Sequence, residues 1–203
     1  IQSADRHTIR VNQRQYILKI LDTLAFQEIP VSAIPMRSNA KLSIDQCPNT
    51  ESEERAMVSV PYKTAIGMLI FLMICTRPEI AFAVSNAARF MKNPGIAHWE
   101  AVQVICGYLR NTTELGLVYK RQPDQKHPVL YGYCDADWAS NDIDTRKSIS
   151  GIIFTMSGGP IAWKSQLQKS LALSTMESEY YAMGDAAKEA KSLRLVYNLS
   201  LIH

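Results

Sequence analysis

The chain has 203 residues, 47% of them hydrophobic, 20% charged and 8% aromatic, with 9 Gly and 9 Pro. That composition excludes a disordered, collagenous or low-complexity chain and suffices for a core in one large unit or two small ones. The net charge of +3 is too small to announce a nucleic-acid partner, and the basic excess is confined to the residues before His127.

In chain order, Gln13 to Phe26 places Tyr16, Ile17, Ile20, Leu21 and Leu24 at spacings of 3, 4 and 7, which predicts an amphipathic helix. Pro30 and Pro35 prevent its continuation. Residues 37–58 are polar and aperiodic and read as a long surface loop. Three helices follow: Tyr62 to Cys75, Pro78 to Met91 with Pro in its first turn, and Ala97 to Arg110 with Trp99, Val102, Ile105, Cys106 and Leu109 on one stripe. The apolar run Ala65 to Cys75 is far short of the ~20 residues of a membrane span, so no membrane partner is expected. A short strand, Gly116 to Arg121, leads to the polar connector Arg121 to Pro128, where a boundary between units 1–127 and 128–203 is placed.

Beyond it the period changes to two. Val129 to Asp137, Ser148 to Met156 and Pro160 to Ser165 read as strands, the last two joined around Gly158-Gly159. Ser174 to about Leu201 is one long helix, so the fold class is α+β: a mostly helical first part, then three antiparallel strands and a helix.

Two acids stand where burial is costly. Stepping back four residues from the stripe Met183, Ala186, Ala190, Leu193, Tyr197 reaches Glu179, on an apolar face, and Asp135 ends an otherwise apolar strand. Converging carboxylates are most simply satisfied by a divalent cation such as Mg2+. Glu177 fits the capping-box pattern with Ser174, while Asp137 reads as a strand end and Asp142 and Asp144 as solvated turns. Arg146, Lys147, Lys164 and Lys169 are candidates for a phosphate-binding rim, and the tryptophans nearby for core. His7, His98, His127 and His203 are isolated and read as surface residues. No CxxC pair links Cys47, Cys75, Cys106 and Cys134, so a reduced, intracellular chain is expected, and neither nucleotide-loop nor GxSxG motifs occur.

The stretch YGYCDADWASNDIDTRKSISGIIFTMSGGPIAWKSQLQKSLALSTMESEYYAMGDAAKEA resembles the first part of the ribonuclease H domain in the Pol polyprotein of copia-type long-terminal-repeat retrotransposons. The order of acid, turn, SxSG strand, GGP hairpin, W-K-S strand and S-T-x-E-x-E-Y helix carries the resemblance. Upstream, QYILKILDTLAFQEIPVSAIPM and YKTAIGMLIFLMICTRPEIAFAVSNAARFMKNPGIAHWEAVQVICGYLRNTTELGLVY are similar to the region between that family's polymerase palm and its ribonuclease H.

The resemblance implies hydrolysis of the RNA strand of an RNA:DNA hybrid by water activated between two Mg2+ ions held by four acids. It maps Asp135 and Glu179 onto two of those acids and turns Ser174 and Thr175 toward the hybrid's minor groove, where 2′-hydroxyls mark RNA. No Asp-Asp pair of a polymerase occurs, and no Asp follows Asp185. The expectation is therefore a fragment, with palm and fingers upstream and the rest of the nuclease downstream in the parent, inactive by itself. Its expected location is a cytoplasmic virus-like particle or the nucleus. The alternative is a non-enzymatic remnant retained as an interaction module for protein or nucleic acid.

Overall fold

The computed structural model describes residues 7–37, 40–121, 128–139 and 143–200. Strand β1 (Thr8–Asn12) pairs antiparallel with β2 (Gly116–Lys120), so the first helical part is closed by a ladder between its two ends. Between them lie α1 (Arg14–Thr23), α2 (Glu51–Met57), α3 (Tyr62–Cys75), α4 (Ala81–Ala88) and α5 (Ile96–Asn111). The core is the meeting point of their apolar stripes: Ile17 and Ile20 of α1, Ile66, Leu69 and Leu72 of α3, Val84 of α4, and Val102, Ile105 and Leu109 of α5. Burial in that core pushes the Cys106 thiol up to about 12, and all four cysteines are free. Among the described residues no single helix is long and apolar enough to cross a membrane.

One fixed charge is enclosed. Arg77, between α3 and α4, is 0% exposed; it pairs with Glu79, donates to the Thr112 carbonyl at 3.1 Å and hydroxyl at 2.6 Å, and lies over the Tyr108 ring at 5.6 Å. A guanidinium that cannot deprotonate is tolerable there only because each face has a partner.

Two expectations for this part are corrected. The segment read as a loop over 37–58 carries a 3-10 turn, Ile44–Gln46, and helix α2, each opened by a reciprocal capping box: Ser43 with Gln46, and Thr50 with Glu53. The helix read over Pro78 to Met91 is a 3-10 turn, Pro78–Ile80, followed by the shorter α4.

The remaining elements are β3 (Leu130–Asp137), β4 (Ile149–Met156), β5 (Gly159–Leu167) and α6 (Thr175–Ser200). The sheet is antiparallel in the order β3-β4-β5. Its hairpin turn is Ser157-Gly158, with φ of 53° and 77°, one residue earlier than read from sequence. Both turn residues are left-handed, as a two-residue turn matching strand twist requires. Gly159 instead opens β5, because a Cβ there would lie 2.6 Å from the Val118 carbonyl of β2. The hairpin is docked onto the first part at this point: Lys120 N–H donates to the Ser157 carbonyl and the Tyr119 hydroxyl to the Pro160 carbonyl.

Helix α6 packs on one face of the sheet. Ala182 and Ser178 meet a layer containing Ser150, Ile152, Phe154 and Ala136, all buried, with Gln168 Nε2 bridging the Ser150 hydroxyl and the Ser178 carbonyl at 2.9 Å each. The expected stripe of α6 holds at Ala186, Ala190, Leu193 and Tyr197, all half-buried, whereas in the first turns the buried positions are Ser178 and Ala182 and Met183 is exposed.

Candidate functional site

Side chains alternate along a strand, so the register decides which face each acid occupies. Asp135 opposes Gly151, and Ala136 opposes Ser150, which is on the α6 side. Asp135 therefore points, with Tyr133 and Asp137, to the face that α6 leaves uncovered. There it lines a groove of about 570 Å³ with Glu79, Phe82 and Trp163, between the sheet and the start of α4. Asp135 is exposed, and Glu179, in the second turn of α6, is half-buried. The strand thus presents one acid on one face while the helix carries the other on the opposite face.

Magnesium prefers several oxygen ligands in near-octahedral array. Among the described residues there is no group of three or more His, Cys, Asp or Glu able to hold a metal ion. Asp135 and Glu179 by themselves do not make that cage.

The start of α6 is settled by local geometry. Ser174 Oγ accepts from the Glu177 N–H at 3.1 Å, as the capping pattern predicts, and the Glu177 carboxylate reaches back to the Leu173 N–H at 2.7 Å. The other carboxylate oxygen accepts from the Tyr181 hydroxyl, which raises the tyrosine's pKa above its usual value. Thr175 is exposed beside this cap and gives its carbonyl to the Ser178 hydroxyl. Arg146 is exposed in a left-handed conformation, φ 58°, and shares a shallow depression with Trp138, Leu171 and Leu173; Lys147 is half-buried. Trp138 is not core: it is 43% exposed, with its indole N–H bound to the Ala172 carbonyl.

Two residues change character relative to the sequence reading. Asp144 is no solvated turn: its carboxylate, only 10% exposed, accepts the Ile44 N–H at 3.1 and 3.2 Å and pairs with Arg89 at 3.5 Å. It fastens the β3–β4 connection to the 3-10 turn of the first part. His98 is 0% exposed, stacked on Phe90 at 4.0 Å. Its Nδ1 accepts from the Gly95 N–H at 2.9 Å, which leaves Nε2 to donate to the Ser43 carbonyl at 3.1 Å. Burial pushes its pKa below the usual value, against the opposing pull of Ser43 and Asp144. The spacing Gly95-x-x-His98 was the available signal for this role; nothing in the spacing around Asp144 announced its partner. Asp142, His127 and His203 lie outside the described residues.

The sequence is 45% identical to "Retrovirus-related Pol polyprotein from transposon TNT 1-94" of Nicotiana tabacum over 88% of this chain and 13% of that protein. It is 31% identical to the Pol polyprotein from transposon RE1 of Arabidopsis thaliana, over 89% of this chain and 12% of that one. It is also 41% identical to "Secreted RxLR effector protein 161" of Plasmopara viticola, over 66% of this chain and 92% of that protein. No family model matches the chain, and no solved structure does. A three-stranded antiparallel sheet backed by a long helix, preceded by a helical bundle, is thus the form taken by a segment of a retrotransposon polyprotein. The chain belongs to the copia-type retrotransposon Pol polyprotein family. It spans about an eighth of the length of the Pol polyproteins it matches.

Proposed function

We propose that this chain supplies the opening strands and first helix of a ribonuclease H-like domain, residues 128–203, together with the helical connection before it, residues 1–127. Its substrate in the parent polyprotein is an RNA:DNA hybrid whose RNA strand is hydrolysed with Mg2+. Supporting this reading is one observation above the others: the acid-bearing strand β3, the GGP hairpin and the capped helix α6 form one layered unit in a chain 45% identical to a Pol segment. Of the two acids, Asp135 on the open face is this chain's contribution to the metal-binding set, Glu179 being carried on the other side of the sheet; Arg146 and Lys147 contact phosphates, and Ser174 and Thr175 face the 2′-hydroxyls. Because these two acids do not complete a cage, the chain by itself binds hybrid weakly and does not cleave it.

The test is incubation of the purified chain with labelled hybrid and Mg2+, with binding followed across salt. The expected result is no cleavage, and salt-sensitive binding that favours hybrid over duplex DNA and weakens in Arg146→Glu. Cleavage that disappears in Asp135→Asn overturns the inactivity. Equal, weak binding to every nucleic acid overturns the hybrid reading and favours a second one, an interaction module without nuclease function. That second reading has its own support, since a related sequence makes up 92% of the short Plasmopara viticola protein.

A further inference from the structure

Beneath the first turns of α6 the interface with the sheet is polar, although Ile152, Phe154 and Ala182 make the rest of the layer apolar. Ser148, Ser150, Gln168 and Ser178 are each no more than 5% exposed. The Ser178 carbonyl can only accept, so the group 2.9 Å from it is the Gln168 side-chain NH2, whose other hydrogen serves the Ser150 hydroxyl oxygen at 2.9 Å. That orientation leaves Gln168 Oε1 buried without a hydrogen-bond partner, as the Ser148 hydroxyl also is. Orphaned polar atoms are costly, and apolar residues of similar volume would bind the two layers at least as tightly. The polar set therefore serves placement rather than adhesion.

What is placed lies one step further along the same line. Ser178 donates its backbone N–H to the Ser174 carbonyl at 3.1 Å and its hydroxyl to the Thr175 carbonyl at 2.7 Å. Hydrogen bonds thus run without a gap from Ser150 of β4, through the Gln168 amide and Ser178, to the residues that open α6. A second tie between sheet and helix, Gln166 to Asp185 at 3.3 Å, lies two turns away, and with the buried Ala182 it keeps α6 attached whether or not Gln168 is present. We propose that Gln168 is a positioning residue for nucleic-acid recognition: by fixing Ser178 against β4 it holds Ser174 and Thr175 at the place where ribose 2′-hydroxyls are met. This rests on the hybrid reading above and adds to it the residue that sets the preference for RNA-containing duplex.

The test compares the full chain with Gln168→Met, which keeps length and loses both hydrogen bonds, and with Gln166→Met, which cuts the distant tie. Binding to RNA:DNA hybrid and to duplex DNA of the same sequence is titrated across salt, and amide exchange is followed along α6. In Gln168→Met the preference for hybrid should fall about fivefold, the worth of one net hydrogen bond, while the salt slope set by Arg146 and Lys147 stays as in wild type. The amides of Ser178 and Glu179 should exchange faster and that of Asp185 should not. Gln166→Met should keep the preference. Should Gln168→Met not fold, Ser150→Ala cuts the same line at the sheet and should lower the preference in the same direction. A wild-type chain without hybrid preference overturns the hybrid reading and this proposal with it. A selective wild type whose preference survives in Gln168→Met, or in Ser150→Ala where that variant stands in for it, or falls as far in Gln166→Met, overturns this proposal alone.

Discussion

His98 is held neutral from both sides, accepting from Gly95 and donating to Ser43, and a second proton on Nδ1 would face the Gly95 N–H. Its folded pKa is depressed from 6.5 mainly by desolvation, so in the window just below 6.5 the unfolded chain holds more protons than the folded one. This contribution to stability is complete above about pH 6.5 and is lost as the pH falls toward the folded value. Urea midpoints at about pH 7.5 and about pH 5.5 should therefore differ more for the wild type than for His98→Gln; an equal difference in the two proteins would refute the role. Residue-scale features were legible where their partners were local. Ser174 and Glu177 are three apart and could be paired by spacing, whereas His98 binds a carbonyl 55 residues away and Asp144 an amide 100 residues away.

Elements were legible where a long apolar stripe or strict alternation dominated, as in α1, α3, α5 and the three strands. α2 was missed because a seven-residue helix with five polar residues and no buried member carries no stripe; yet Ser43-x-x-Gln46 and Thr50-x-x-Glu53 hold the capping pattern in plain sequence. The hairpin turn was displaced by one because Gly158 and Gly159 look alike in sequence but serve different needs. Gly158 supplies a left-handed φ, and Gly159 supplies room for β2. Gly159→Ala, with its Cβ 2.6 Å from a backbone oxygen and 2.7 Å from the Tyr119 ring, should destabilise the fold by roughly 1–3 kcal/mol, as overpacking does. Thermal unfolding of that variant within 0.5 kcal/mol or so of wild type would show that β2 and the hairpin part easily.

Across the whole molecule, among the described residues, the sheet is joined to the helical part by polar contacts that include Trp163 to Met73, Tyr119 to Pro160, Lys120 to Ser157, and the Asp144 link to Ile44 and Arg89. Asp144→Ala removes the acceptor for a backbone amide and leaves Arg89 without that carboxylate, a loss of about 1–3 kcal/mol. Limited proteolysis should then cut the 138–147 connection faster than in wild type; an unchanged cleavage rate would mean that Asp144 does not fasten it. The relation between the parts was not readable from sequence because every one of these contacts joins residues at least 37 positions apart. The same holds for the candidate site: the strand and helix bearing Asp135 and Glu179 were legible, but which face each acid takes depends on the register and on where α6 docks.

The β1–β2 ladder sets a timing constraint on biosynthesis. Thr8 leaves the ribosome well before its partner Lys120, so at ordinary elongation speeds β1 waits about 5–20 s for that partner. For that interval Ile9 and Val11 belong to a solitary nascent strand, and the bundle behind it is complete only once the C-terminal end of the first part has been translated.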